Sequence, residues 1–278
     1  GIIRWLNLPL LEPSTAQEAK EMTRWAFELS EELRLPCVIR SCTRVSHATG
    51  IVEFGPLSEA TTHSHLDTSQ TYASTPVVPK HAAMLEKVDL LRKRMEESPF
   101  NYYEGPDKPE LLMVAAGSSR LYAAEAVEFL GLHDQVGILH LGATWPLPER
   151  FILEHISRAP RLLVTEEIDP LLEGSLRRLA AEHRWPGGPQ SIYGKESGHI
   201  PRCGELTPTA VIEALAGLAD VEYWMVDARY RDKAQKLAGT MVLSREAMWC
   251  PGCPHRASIW AIKNALRLDG RDGIVTGD

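Results

Sequence analysis

Apolar positions in the first third of the chain follow a helical period, then a short strand, and then no period. After a capping box of Ser14 and Gln17, apolar side chains at spacings of three and four predict a helix from about residue 15 to before Pro36: Ala19, Met22, Ala26, Leu29 and Leu33. Residues 37–42 predict a strand, so this part forms half of an α/β unit. Residues 55–80, rich in Ser, Thr and Pro, predict a linker, and a second amphipathic helix follows at Met84, Val88, Leu91 and Met95.

From residue 109 the pattern alternates between strand and helix three times. The predicted strands 110–116, 136–141 and 161–165 are nearly continuous apolar runs, which is typical of parallel strands buried on both faces. The helices predicted with them span 120–130, 148–156 and 171–183, and one more helix follows a Gly- and Pro-rich passage at Val211, Leu215 and Leu218. We therefore expect an α/β fold, a parallel sheet covered by helices, with any ligand near the carboxyl ends of the strands.

The last part of the chain is predicted to begin a further unit. A strand is expected at 241–243, and a helix from about residue 255 to residue 268 should turn its apolar positions inward at Ile259, Ile262 and Leu266. The chain starts with Gly1 rather than Met, and residues 272–278 have the pattern of a strand running into a turn. We therefore expect the sequence to be an internal piece of a longer protein.

The composition excludes several classes of protein. The chain has 278 residues, 44% hydrophobic and 24% charged, unlike collagen-like, coiled-coil or disordered chains. Its net charge is −7 and its longest basic run is 92–94, so nucleic acid is not expected as a partner. The longest apolar stretch, 111–116, is far shorter than the ~18 residues of a membrane span, and residues 1–13 do not resemble a signal peptide. Five cysteines, an odd number, indicate a reducing compartment, so we expect a cytoplasmic location.

Residues 249–256 contain the clearest candidate site, a Cys-Pro-Gly-Cys-Pro-His turn that opens onto a helix. Two thiolates three positions apart at a helix N-terminus can bind one metal ion or one corner of a cluster. The spacing favours two interpretations equally: half of an iron–sulfur site, or a structural zinc site completed by His199 and Cys203. A dithiol redox pair is less favoured, because a thioredoxin-type sheet would have to follow the motif and the chain ends 25 residues after Cys253.

Weaker candidates lie elsewhere. Arg44, with His47, follows a predicted strand end, where an arginine can bind a carboxylate at two points or simply lie at the surface. The Gly117-Ser118-Ser119 turn offers backbone N–H groups to a phosphate, although most such turns bind nothing. Glu166 and Glu167 end the third strand and suit either acid–base chemistry or helix capping. The remaining residues considered are weak metal ligands, His63 and His65, and expected core residues, Cys37 and Cys42.

Several stretches of the chain, taken together and in order, resemble one known family. They are Glu12-Pro13-Ser14 with Gln17-Glu18-Ala19, Thr43-Arg44-Val45-Ser46-His47, 97–101, Thr165-Glu166-Glu167, 204–208 and Cys250-Pro251-Gly252-Cys253-Pro254-His255-Arg256. The last stretch is the most specific. The chain resembles the large (alpha) subunit of indolepyruvate ferredoxin oxidoreductases, within the thiamine-diphosphate-dependent 2-oxoacid:ferredoxin oxidoreductases.

This resemblance implies a domain order and a reaction. Residues 1–75 would end a pyrimidine-binding domain, 76–108 would form a linker and helix, 109–225 a transketolase C-terminal-like domain, and 240–278 the start of a diphosphate-binding domain. The central domain would thus be flanked by parts of two thiamine-diphosphate-binding domains. The implied reaction converts an arylpyruvate, a 2-oxoacid, and coenzyme A into an aryl-acetyl-CoA and carbon dioxide. Ferredoxin would accept the electrons, and a smaller beta subunit would be the partner.

The resemblance also assigns site residues. Cys250 and Cys253 would be two ligands of a 4Fe-4S cluster near thiamine diphosphate and Mg²⁺, with His255 and Arg256 beside them. Arg44 and His47 would lie at the catalytic pocket. The family's activating glutamate, magnesium motif and ferredoxin-like domain are absent from the sequence, so the chain alone should not turn over. The alternative that stays open is a zinc-stapled α/β module that binds a partner or an acyl-CoA without catalysis.

Overall fold

A computed structural model of the chain describes residues 2–56, 76–183, 191–222, 228–242 and 255–270. The chain divides into two compact units, residues 1–223 and residues 224–278. Within the described ranges, no helix has both the length and the apolar character that crossing a membrane would require.

The described residues form these helices and strands. The helices are α1 (Ile2–Trp5), α2 (Ala16–Leu33), α3 (Thr43–His47), α4 (Val77–Glu96), α5 (Ser119–Leu130), α6 (Glu149–Ile156), α7 (Leu171–His183), α8 (Pro208–Ala219), α9 (Ala228–Met241) and α10 (His255–Asp269). The strands are β1 (Leu10–Leu11), β2 (Val38–Ile39), β3 (Asn101–Glu104), β4 (Leu111–Ala116), β5 (Val136–Leu141), β6 (Ala143–Trp145), β7 (Arg161–Thr165) and β8 (Ser191–Tyr193).

The central element of the first unit is a five-stranded sheet with the strand order β3-β5-β4-β7-β8. Strand β4 pairs in parallel with β5 and β7, and β7 pairs in parallel with β8. Strand β3 joins the edge in the antiparallel direction. The expected α/β fold is thereby confirmed, and each predicted strand and helix between residues 110 and 183 lies within one residue of its predicted bounds.

The central strands are buried along their whole length because helices cover the sheet on both sides. Alternate residues of β4, which are Leu112, Val114 and Ala116, pack with α6 and α7 in one hydrophobic cluster. The intervening residues are equally buried, and α5 packs there against both β4 and α8. This two-sided burial explains why the strands are nearly continuous apolar runs.

A second, smaller sheet connects the N-terminal segment to the central sheet. Its order is β2-β1-β6, so β6, which follows β5 in the chain, pairs with a strand near the N-terminus. Helices α2 and α4 pack beside it, and their buried positions confirm the predicted amphipathic pattern. This core contains Leu11, Met22, Ala26, Leu29, Leu33, Leu91, Met95, Phe100 and Ala143.

Arg120 forms a buried polar link between α5 and the N-terminal segment. Only 2% of the residue is exposed, and its guanidinium donates to the Ser14 hydroxyl at 3.0 Å and forms an ion pair with Glu18. The Glu18 carboxylate also accepts the backbone N–H of Ser14 at 2.9 Å and its hydroxyl at 2.6 Å. The guanidinium is therefore neutralised by a carboxylate that α2 itself holds in place, which is what a buried arginine needs.

Several predicted boundaries in the first unit are wrong. The N-cap of α2 is Thr15, whose hydroxyl accepts the Glu18 N–H at 3.1 Å, rather than Ser14 with Gln17. Strand β2 covers only 38–39 of the predicted 37–42, because α3 begins at Thr43. Helix α4 starts at Val77, inside the predicted linker, while residues 57–75 lie outside the described residues. Strand β3 precedes residue 109 and still belongs to the central sheet.

The second unit differs in part from its prediction. The strand expected at 241–243 is wrong, because Met241 is the last residue of α9, and residue 243 lies outside the described part. Helix α10 confirms the predicted helix from about residue 255. Its apolar positions are not buried among the described residues: Ile259 and Leu266 are half-buried, and Ile262 is 38% exposed.

We predict that Arg120→Met lowers the free energy of unfolding by roughly 3 kcal/mol, because it leaves the largely buried Glu18 carboxylate without its counter-charge. Urea unfolding followed by circular dichroism measures the change. The matched control is Arg24→Met, since Arg24 is 83% exposed in its pair with Glu28 and should contribute less than about 1 kcal/mol. Equal losses in the two variants would contradict the structural role of Arg120.

Candidate functional site at the carboxyl edge of the sheet

The turn after β4 fastens the carboxyl ends of two parallel strands to each other. The Ser119 hydroxyl donates to the Thr165 carbonyl at 2.6 Å and accepts the Ala116 N–H at 3.1 Å. Gly117 has a φ of +59°, a conformation that glycine adopts without strain. The edge of the sheet is therefore a rigid platform, and the side chains that follow each strand are held in fixed positions.

Carboxylates surround this turn. A Cβ at Gly117 would lie 3.3 Å from a carboxylate oxygen of Glu12, and the Ser118 hydroxyl donates to Glu167 at 3.2 Å. Glu167 also accepts the Leu206 N–H at 3.3 Å, so it ties α5 to the segment before α8. A phosphate at the turn would meet two negative side chains, so the geometry does not support the phosphate cradle that the glycine–serine sequence predicts.

Glu166 caps the start of α7 and faces a cavity. Its carboxylate oxygens accept the N–H groups of Leu172 at 2.7 Å and Glu173 at 2.8 Å. Only 4% of the residue is exposed, and burial raises its pKa from 4.5 to about 7 although both backbone hydrogen bonds lower it. The capping geometry favours a structural role over acid–base chemistry, as one of the two sequence interpretations had it.

Arg44 and His47 lie on α3, rather than directly at a strand end. Both guanidinium contacts of Arg44 go to Glu205, with Nε and Nη2 each 3.0 Å from a carboxylate oxygen. This hydrogen-bonded pair raises the pKa of Arg44, and both side chains are about half exposed. His47 ends the helix and is exposed. Arg44 thus already holds a carboxylate at two points, and that carboxylate belongs to the chain itself.

The sequence analysis did not single out a third group of polar residues at this edge. Glu12 follows β1 and accepts hydrogen bonds from Arg40 at 3.0 Å and from the Thr144 hydroxyl at 2.6 Å. Arg40 in turn follows β2. The available signal was a charged residue directly after each of two short apolar runs, which is where parallel strands place functional groups.

The candidate cluster ligands Cys250 and Cys253 lie outside the described residues, as do His63 and His65. His255 and Arg256 start α10 and are exposed. In the part of the chain that the structure describes, no three His, Cys, Asp or Glu side chains could hold a metal ion. His199 lies 3.0 Å from the Ser197 hydroxyl and Cys203 is an exposed free thiol.

The two cysteines expected in the core differ in their surroundings. Cys37 is half-buried against the core of the N-terminal segment, and burial raises the pKa of its thiol to about 11. It therefore stays protonated at neutral pH and is a poor nucleophile. Cys42 is half-buried at the N-cap of α3, so it is not a core residue.

Comparison with known proteins identifies relatives over nearly the whole chain. The chain is 33% identical over 277 residues to the indolepyruvate oxidoreductase subunit IorA of Pyrococcus horikoshii, covering 95% of this chain and 41% of that protein. The values for the IorA subunit of Thermococcus kodakarensis are 34% over 271 residues, 94% and 41%. Those for Methanothermobacter thermautotrophicus are 34% over 278 residues, 98% and 43%. The resemblance found in the sequence motifs is confirmed, and the chain spans about two fifths of the length of the curated relatives it matches.

Two solved structures share part of the fold, and no protein-family model matches the chain. A 2-oxoglutarate:ferredoxin oxidoreductase from Magnetococcus marinus aligns with a TM-score of 0.49 and 14% identity, over 75% of this chain and 42% of that chain. A split-gene transketolase aligns with a TM-score of 0.43 and 12% identity, over 78% of this chain and 59% of that chain.

The buried Glu166 predicts a pH-dependent stability. Because its pKa is raised to about 7 in the folded chain, the folded state holds the proton more tightly than the unfolded state does. Its contribution to stability is therefore present below pH 4.5 and is lost as the pH rises to about 7, by on the order of 3 kcal/mol. We expect Glu166→Gln to remove this loss in urea unfolding measured from pH 4.5 to 8. Glu167→Gln is the matched control, and the same pH profile in Glu166→Gln as in the parent would refute the assignment.

Proposed function

We propose that the chain is a segment of the large subunit of a cytoplasmic 2-oxoacid oxidoreductase that acts on arylpyruvates such as indolepyruvate. The observation that carries the proposal is the identity of 33% or 34% with three IorA subunits along nearly the entire chain. Proteins at this level of identity over this length share a fold, and the chain's most specific motif, at 250–256, falls within the matched region. Activity, substrate and partners of the whole protein follow from that proposal.

The proposed reaction balances as a two-electron oxidation. An arylpyruvate and coenzyme A give an aryl-acetyl-CoA, carbon dioxide and one proton, and two oxidised ferredoxins each take up one electron. The carbon–carbon bond to the carboxylate breaks and a thioester bond forms. A smaller beta subunit completes the enzyme in this proposal.

Thiamine diphosphate with Mg²⁺, when bound, would supply the electron sink for decarboxylation. The described residues offer no metal-binding cluster, so the magnesium ligands of the proposal lie in other parts of the protein. The residues of this chain assigned to the cofactors are Cys250 and Cys253, as ligands of a 4Fe-4S cluster, with His255 and Arg256 beside them. Thiolate is the ligand that such clusters require, and the position before α10 favours the ionised thiol.

Arg44 and His47 are proposed to lie at the substrate side of the catalytic pocket. The contact of Arg44 with Glu205 supports a carboxylate-binding role, because it shows that the guanidinium is oriented to grip a carboxylate at two points. In this proposal a substrate carboxylate displaces Glu205 from Arg44. The half-exposed pair can open without leaving a buried charge unpaired.

We expect Cys250→Ala and Cys253→Ala each to remove the iron of one cluster from the anaerobically purified full-length subunit. Iron and zinc are measured by mass spectrometry and the cluster by its visible absorbance. Ferredoxin reduction should fall by a larger factor than decarboxylation measured with an artificial acceptor, because electron transfer needs the cluster more directly.

Cys203→Ala provides the control that separates the two metal interpretations. A cluster held by Cys250 and Cys253 is unaffected by the loss of the exposed thiol of Cys203. Loss of zinc from the Cys203 variant, with unchanged iron in all three variants, would replace the oxidoreductase proposal by the zinc-stapled binding module.

Arg44→Lys should raise the KM for the 2-oxoacid by about tenfold, because lysine keeps the charge and loses one of two charge-assisted hydrogen bonds. Steady-state kinetics of the full-length enzyme measure this change. Glu205→Gln is the matched variant: it frees Arg44 for the substrate, so KM should stay the same or fall. A purely structural ion pair would instead give both variants the parent KM and a similar loss of stability.

A further inference from the structure

A cavity lies at the point where the chain changes direction across the central sheet. The chain runs from β4 to β5 on one side of β4 and then crosses to β7 on the other side. Open parallel sheets bind ligands outside the carboxyl ends of their strands at such a switch point. A cavity of about 380 Å³ is located there, lined by Ala116 at the end of β4 and Glu166 after β7. Its volume is within the range of small-molecule sites.

The N-terminal segment closes the cavity with charged and aromatic groups. Arg4 from α1, Glu12 and Arg40 after the small strands, and Trp145 from β6 all line it. The Arg40 charge is balanced, since Arg40 and Glu12 form an ion pair and Glu12 is only 6% exposed. These two groups therefore contribute almost no net charge to the cavity.

Arg4 is the cation of this cavity whose charge is not balanced by a close partner. It donates to the Leu171 carbonyl at a long 3.4 Å and lies over the Trp145 ring, 4.7 Å from its centre. In the described part of the chain, Arg4 makes no ion pair. Burial lowers its pKa, so its charge is only partly solvated, while the nearby Glu166 is about half protonated at neutral pH.

A second unused donor lies beside this guanidinium. The indole Nε1 of Trp145 is buried and has no hydrogen-bond partner among the described residues. A buried N–H group without a partner is destabilising, and a ligand oxygen would remove that penalty. An arginine without a counter-ion and an indole N–H in one cavity together match the two oxygens of a carboxylate.

The rest of the lining is apolar. It consists mainly of aliphatic side chains: Ile3, Leu10, Val38, Ile39, Leu147 and Leu171. A phosphate ester with its two negative charges would meet Glu12 and Glu166 and gain little from these walls, whereas an apolar body with one carboxylate fits both features. We propose that this cavity binds an apolar monocarboxylate, with Arg4 and the Trp145 indole holding the carboxylate. The site goes beyond the proposed catalytic function, and its test needs no turnover.

The test is isothermal titration calorimetry of the full-length subunit with indole-3-acetate at pH 6. We expect saturable binding of indole-3-acetate. Inorganic phosphate and indole, which lack the apolar body and the carboxylate respectively, should bind at least tenfold more weakly. Indole binding as tightly as indole-3-acetate, or no binding of indole-3-acetate, would overturn the proposal.

Variants then identify the groups that hold the ligand. Arg4→Gln should weaken binding of indole-3-acetate by about tenfold or more, and Trp145→Phe, which keeps the ring and removes the N–H, by about fivefold. The control is Arg150→Gln, since Arg150 is 80% exposed and remote from the cavity lining. Parent affinity in both cavity variants refutes the proposed carboxylate contacts.

Glu166 supplies an independent readout. Its charge is felt by Arg4, Glu12 and Arg40, the charged groups that line the cavity from the other elements. Above about pH 7 Glu166 ionises and repels the ligand carboxylate, so affinity should fall between pH 6 and pH 8. In Glu166→Gln the affinity should be constant over this range. A pH-independent affinity in the parent chain would place the ligand elsewhere. Because no step depends on iron, failure of this test leaves the cysteine experiment unaffected.

Discussion

The buried guanidinium of Arg120 must have a carboxylate beside it, and this requirement fixes how the N-terminal segment meets the central sheet. Glu18 supplies that carboxylate from α2, and Ser14 orients it. Since Arg120 lies in the first turn of α5, its position is set by the sheet and not by the segment it binds. The ion pair therefore places α2, and with it the short strands β1 and β2, at the carboxyl edge of the sheet.

That placement gives the edge its chemistry. Parallel strands leave a crevice at their carboxyl ends, and here the crevice is closed by side chains that follow β1 and β2. Glu12 lies against Gly117 because a glycine leaves space there, and it binds Arg40 from the neighbouring strand. The opposite charges neutralise each other, so the character of the cavity depends on the two groups without close partners, Arg4 and Glu166. Packing of the fold and selectivity of the site are thus consequences of the same contact.

The sequence predicted the part of the fold that two-sided burial determines. Strands β4, β5 and β7 must be apolar at every position, and this leaves a signal that needs no knowledge of their neighbours. Strands β3 and β8 escaped prediction because they lie at the edges, where short polar strands such as 101–104 form only through pairing with a partner. The strand expected at 241–243 was wrong for a related reason: three apolar residues cannot by themselves distinguish a strand from the end of a helix.

The candidate site was predictable to the extent that it follows strand ends. Glu166 and Glu167 were found in this way, yet their different roles depend on contacts with α7 and with Leu206, which local sequence does not show. Glu205 lies 161 residues from Arg44, so their ion pair has no local signal. The burial that raises the pKa of Glu166 is likewise a product of packing by distant segments. A charge whose counter-ion comes from another part of the chain can be located from sequence, but whether it is balanced is decided only by the fold. Arg4 is the case in which that distinction determines what the cavity can bind.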